Sequence, residues 1–188
     1  MTTKSLLLSL LKQFSYQQGS FTLASGQQSS FFLDCKKSLL QAQGHVLSAG
    51  LMFDEILKLR QHYNISTVAG VPLGGCSLAS GVSMYSAMQR GNIIHSPLNA
   101  LYIRKETKDH GTQQLIEGWA EQRSNVVLLE DVITSGGSSI TALDTLYQNG
   151  YNPVAVICVI DRVAGGKEAI ENKFRIPVIS IFTIEDIQ

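Results

Sequence analysis

Hydrophobic and polar positions along this chain alternate between short apolar runs and longer mixed stretches. Residues 68–71, 100–103, 125–129, 154–160 and 178–182 are apolar or nearly so and rich in β-branched side chains, which predicts buried strands. Residues 43–59, 77–89 and 138–148 lie between them and predict helices. In the first of these Val46, Leu47, Gly50, Phe53 and Leu57 form an imperfect helical stripe, and Asn149-Gly150 is a good stop for the last. Ahead of this alternation come a helix over 5–13 and two strand-like runs, 20–23 and 30–33, with Ala24-Ser25-Gly26-Gln27 as the turn between them. Residues 104–118 are polar, punctuated by glycine and without a period, and read as a long loop.

Strands that are apolar throughout and separated by helices imply an α/β fold, with a mainly parallel sheet covered on both faces. No linker, repeat or low-complexity segment divides residues 1–188, so one domain is expected. Ligands of such sheets bind beyond the carboxyl ends of the strands. The polar motifs of this sequence fall at those ends.

Composition removes several classes. The formal net charge is zero and charged residues make up 16% of the chain, so no global positive field points to nucleic acid or a membrane surface. The apolar run Leu6 to Leu11 is too short to span a bilayer. Cys35, Cys76 and Cys158 are widely spaced and form no CxxC, which fits reduced thiols and a cytoplasmic protein better than a disulfide framework or a zinc site.

The most informative segment is Glu130-Asp131-Val132-Ile133-Thr134-Ser135-Gly136-Gly137-Ser138, which follows the apolar run 126–129. Glycines allow several backbone N–H groups to converge, a helix start adds positive partial charge, and the hydroxyls of Thr134, Ser135 and Ser138 can donate to the same oxygens. These features suit one phosphate monoester. Two carboxylates would repel that phosphate but suit ribose hydroxyls, a metal-bound diol or a developing positive charge. Either half alone is as well explained by a solvated strand end or a helix cap; the two in sequence describe a ribose 5-phosphate seat. No lysine follows the glycines as in a Walker loop, and no GxGxxG is present.

Two further segments carry charge. Arg104-Lys105-Glu106-Thr107-Lys108-Asp109-His110-Gly111 sets three permanent cations and a histidine after a strand, which suits a polyanionic leaving group such as pyrophosphate, although most charged runs are simply solvated. Arg162 ends the run 154–160, and its guanidinium matches planar carboxylate and carbonyl acceptors; an ion pair with Asp161 is the plainer alternative.

The acidic pair with its cradle resembles the phosphoribosyl pyrophosphate motif of the type I phosphoribosyltransferases. The segment over 104–111 resembles the catalytic loop of orotate phosphoribosyltransferases nearly position for position. The resemblance spans about residues 14–182 and implies that fold, with a small N-terminal hood formed by roughly residues 1–40 and the C-terminal segment. It implies transfer of ribose 5-phosphate from phosphoribosyl pyrophosphate to orotate, with Mg²⁺ as cofactor and no metal ligands supplied by the protein. The implied catalytic residues are Lys108 and Asp131. Phosphoribosyl pyrophosphate would meet Arg104, Lys105, Lys108, His110, Glu130, Asp131, Val132, Ile133, Thr134, Ser135, Gly136, Gly137 and Ser138, and orotate would meet Thr134 and Arg162. A homodimer sharing the 104–111 loop across subunits is also implied. Pro72-Leu73-Gly74-Gly75 resembles the family's pyrophosphate-side loop. Phe21-Thr22-Leu23-Ala24-Ser25-Gly26 with 30–36 resembles its hood segment, but one common version of that pattern has Lys where Ala24 stands and Arg at Gln27, so a direct lysine contact is absent from this turn. The rivals are a purine-salvage phosphoribosyltransferase, which would need neither Arg162 nor this loop, a non-catalytic RNA-binding regulator, which would need a basic face, and a generic nucleotide-binding module.

Overall fold

The computed structural model describes residues 1–22, 28–89, 96–104 and 115–188. The chain begins with α1 (Thr3–Leu10), whose first turn is capped by the Thr2 side chain accepting from Ser5 N–H, and continues through a wider helical turn at Leu11–Ser15. A hairpin follows, β1 (Tyr16–Thr22) against β2 (Gln28–Leu33), antiparallel and bulged between Gln18 and Phe21. The strands are longer than the apolar runs because the hairpin is half exposed, so polar residues share its ladder. Tyr16 stacks on Phe31 and Phe21 lies tilted against Phe32, both at 5.7 Å. The expected turn at Ala24-Ser25-Gly26-Gln27 lies outside the described residues.

The body then alternates as expected: α2 (Lys36–Leu39), α3 (Ala42–Leu59), β3 (Ile65–Gly70), α4 (Gly74–Met88), β4 (Asn99–Ile103), β5 (Ile116–Glu117), β6 (Asn125–Ile133), α5 (Gly137–Gln148), β7 (Asn152–Asp161), α6 (Gly166–Phe174), β8 (Val178–Thr183) and α7 (Ile184–Ile187). The sheet order is β5-β4-β3-β6-β7-β8, parallel except where β5 meets β4. Val126 to Leu129 on central β6 are fully buried on both faces. Each such side chain contributes about 1.5–3 kcal/mol of burial, which fixes this strand at the centre. Val127 and Leu129 pack with α1, α3 and α4, whereas Val126 and Leu128 pack with α5 and α6.

Three expectations needed correction. Part of the stretch read as loop, 104–118, forms β5, a pairing of two residues that is too short to leave a period. β6 runs on to Ile133, so the acidic pair lies within the strand and not beyond its end. Neither α2 nor α7 was anticipated, each being one turn long, nor was α6, whose composition is mostly polar.

The order places the chain's switch of direction between β3 and β6. After β3 the chain crosses through α4 to β4 on one side, and β6 returns on the other side of β3. The turns leaving β3 and β6 therefore part toward opposite faces of the sheet and leave a crevice between them.

Candidate functional site

The crevice holds the acidic pair. Alternation along β6 sends Glu130 to the α5 face and Asp131 to the α4 face. Glu130 is buried, with Ser139 Oγ donating to its Oε2 at 3.4 Å and Asp131 N–H to its Oε1 at 3.3 Å. Burial, followed by the neighbouring Asp131 carboxyl, pushes its pKa up to about 9, so Glu130 holds its proton at neutral pH. Asp131 is half-buried, and one of its oxygens accepts the Val132 N–H at 2.9 Å. Gly74 lies directly against the Asp131 carboxylate, where a Cβ would collide with it. The peptide bond between Pro72 and Leu73 in that turn is cis.

Beyond β6 the chain curls through Thr134 and Ser135, both exposed, to Gly136 at φ 79°, a left-handed conformation that glycine adopts without strain. Gly136 caps α5, and no acidic residue sits in the first turn of that helix, so its positive end is uncompensated. A recess of about 110 Å³ lies here, lined by Glu130, Thr134, Ser135, Gly137, Ser138 and Ser139 among others. Behind it, Gly166 carries the other side of the cradle: a Cβ on Gly166 would collide with Thr134 O and meet Gly136 N at 2.7 Å.

Arg162 and Asp161 form no ion pair with each other. Its N–H donates to Ile133 O at 2.9 Å, tying the end of β7 to the end of β6, and its guanidinium lies 4.9 Å from the Phe31 ring centroid in the hairpin. That contact holds the guanidinium against the hairpin. Asp161 instead accepts the Val163 N–H at 2.9 Å. Arg104 pairs with Glu117 at 3.1 Å across β4 and β5 and borders a second hollow with Pro72, Ser138 and Thr141. Lys105, Lys108 and His110 lie outside the described residues.

One residue of the cleft was not singled out from the sequence. A hollow of about 320 Å³ between Pro72, Gly74, Glu130 and Asp131 is also lined by Lys36. Its signal was the Asp34-Cys35-Lys36 triplet directly after β2, which charge alone does not distinguish from a solvated strand end. A larger hollow of about 580 Å³ sits at the far end of the sheet, lined by Arg60, Tyr63 and Ser96 among others. There Arg60 donates to Ile65 O and Ser96 O and serves as a clamp between α3 and β3, away from the acidic pair.

Comparison with known proteins agrees with this geometry. No protein-family model matches the chain. An orotate phosphoribosyltransferase of Sorangium cellulosum is 46% identical over 182 residues, covering 96% of this chain and 90% of the relative. Among solved structures, the orotate phosphoribosyltransferase of Mycobacterium tuberculosis in complex with Fe(III) dicitrate superposes with a TM-score of 0.81 at 28% identity, over 99% of both chains. The same enzyme in complex with 5-phospho-α-D-ribosyl 1-diphosphate gives 0.77 at 26% identity, again over 99% of both.

Proposed function

The chain belongs to the orotate phosphoribosyltransferase family, whose members transfer ribose 5-phosphate from phosphoribosyl pyrophosphate to orotate in pyrimidine synthesis, and we propose how its own residues carry that reaction. The observation that carries the proposal is the continuity of the acidic pair with a cradle whose helix end is uncompensated, at the crevice between β3 and β6.

The 5′-phosphate takes the cradle that Val132 to Ser138 form, with backbone N–H groups over Thr134 to Ser138 and the hydroxyls of Thr134, Ser135 and Ser138 as donors. The ribose hydroxyls take the acidic pair. Asp131 accepts from one, and Glu130, neutral in the free protein, has a proton to donate to the other. Orotate lies between Thr134 and Arg162, its carboxylate and carbonyl oxygens facing the guanidinium held on Phe31. The hairpin and the first helical segment, with the C-terminal segment, form the hood over this end. Arg104, Lys105, Lys108 and His110 meet the pyrophosphate, and the loop that carries them is shared across a homodimer. As the bond to pyrophosphate breaks, Lys108 stabilises the charge that grows there, and Asp131 stabilises the positive sugar. The acidic imide of orotate makes a strong protein base unnecessary.

The residues fit Mg²⁺ held mainly by substrate oxygens and water. Asp131 has an oxygen beyond the one bonded to Val132, available to a water of the ion's shell. When bound, Mg²⁺ offsets the charge of the pyrophosphate. The three cysteines are free, and we place the protein in the cytoplasm.

The test follows the loss of orotate absorbance with phosphoribosyl pyrophosphate and Mg²⁺. Lys108→Ala should lower turnover by about 100-fold or more. Mixing Lys108→Ala with Asp131→Ala subunits should restore about a quarter of the wild-type rate if the loop is shared in a dimer. A Lys108→Ala rate within threefold of wild type removes the loop from the mechanism, and no recovery on mixing removes the sharing.

A further inference from the structure

A cation enters the cleft from the side of the β1–β2 hairpin. Among the described residues lining the hollow between the Pro72-Leu73-Gly74 turn and the acidic pair, Lys36 is the only cation. Its backbone is fixed: Cys35, Ser38 and Leu39 are buried, and Ser38 Oγ bonds Ser15 Oγ at 2.6 Å and Leu10 O at 2.9 Å. Its ammonium is aimed as well, with Nζ 2.7 Å from Asp34 Oδ1, while Asp34 Oδ1 also accepts the Lys36 N–H at 3.3 Å. Asp34, and beyond it Asp131, hold the lysine charged. Lys37, next in sequence, turns away and lies over the Phe32 ring at 5.9 Å.

We propose that Lys36 is a pyrophosphate-binding residue, contacting the leaving group of phosphoribosyl pyrophosphate from the hood side of the cleft. The side of the cleft decides the ligand. Lys36 lines its hollow with Asp131 and the turn after β3, none of which lines the recess at the start of α5, while Glu130, Val132 and Ser138 line both and join the two spaces. A dianionic ribose phosphate is already served by the helix end, and the orotate carboxylate by Arg162. The group left facing Lys36 is the pyrophosphate with its metal. Pre-alignment by Asp34 reduces the side-chain entropy lost when the contact forms. The inference rests on the reading of the cradle and of Arg162 given above.

Calorimetric titration separates the fragments of the substrate. The whole chain is titrated with pyrophosphate plus Mg²⁺, with ribose 5-phosphate, and with orotate, for wild type, Lys36→Met, Lys36→Arg and Lys37→Ala. Lys36→Met should weaken pyrophosphate binding about tenfold to a hundredfold, the range for a lost charge-assisted hydrogen bond. Ribose 5-phosphate and orotate should bind as before, Lys36→Arg should recover part of the loss, and Lys37→Ala, which removes the same charge nearby, should change nothing. Equal weakening by Lys37→Ala would reduce the effect to bulk charge and overturn the proposal. A shift confined to orotate would move Lys36 to the base side and overturn it too. If wild type binds none of the three fragments, the reading of the cleft itself fails first.

Discussion

The ends of β6 and β7 are built alike and do different things. Each strand carries a carboxylate near its carboxyl end and then turns into a helix capped by a left-handed glycine, Gly136 at φ 79° for α5 and Gly165 at φ 83° for α6. The two turns pack back to back through Gly136 and Gly166. Their helix starts differ in charge. α6 carries Glu168 in its first turn and so compensates its own positive end, while α5 carries no acid there and is ringed by hydroxyls. The backbone shape is shared; the side chains decide which end is left open to an anion and which serves as buttress, lending only Arg162 to the site.

The largest break in this pairing comes from Gly166→Ala. Its Cβ would run into Thr134 O and Gly136 N, backbone atoms that cannot step aside, so the cradle itself must move. A displacement of about 1 Å at a substrate-positioning group costs on the order of 100-fold in rate, and the overpacking about 1–3 kcal/mol of stability. Gly165→Ala is the control. Nothing lies within 4 Å of its Cβ, so only the left-handed φ is penalised, by about 1 kcal/mol, and kcat/KM should hold. Urea melts and orotate turnover on both variants separate the two costs; a fully active Gly166→Ala would show that the buttress does not shape the cradle.

The buried acids at the two strand ends sharpen the contrast. Asp161 is satisfied by the Val163 N–H at 2.9 Å, while the partners of Glu130 stand at 3.3 and 3.4 Å beside a second carboxyl. Glu130 therefore keeps its proton up to about pH 9 in the folded protein, against an ordinary value of 4.5. Between those values the folded chain binds a proton that the unfolded chain has lost, so stability falls as pH rises through this window, by at most about 1.4 kcal/mol per pH unit. Glu130→Gln removes that slope. Its urea midpoint should change less than that of wild type from pH 5 to pH 9, and parallel curves would mean that Glu130 is ionised throughout.

What was legible in the sequence follows the same division. The strands of the body showed themselves because parallel strands buried on both faces must be apolar throughout, and the cradle did so because an acidic pair followed by hydroxyls and glycines after such a strand has few other uses, though either half alone has many. That the acidic pair splits across the two sheet faces was hidden, because it depends on β6 continuing past Leu129, where the apolar signal stops. α6 was hidden because its exposed face is polar and only Gly166 and Ile170 are buried. Lys36 could not be told from Lys37 by composition; the turn of a single short helix sends one into the cleft and the other over Phe32.

The smallest effects test the comparison most directly, by exchanging the charge patterns of the two helix starts. Ser138→Glu places in the first turn of α5 the kind of charge that α6 already has. Ser138 is exposed, so the helix should tolerate it and gain about 0.3–1 kcal/mol in the urea melt, while the KM for phosphoribosyl pyrophosphate rises about tenfold because the acid competes for the same N–H groups. Glu168→Gln does the reverse on α6, with a loss of about 0.3–1 kcal/mol and no change in KM. An unchanged KM in Ser138→Glu would mean that the 5′-phosphate does not rest on α5. A raised KM in Glu168→Gln would mean that the second helix end takes part in binding, and that the two strand ends differ less in function than their side chains imply.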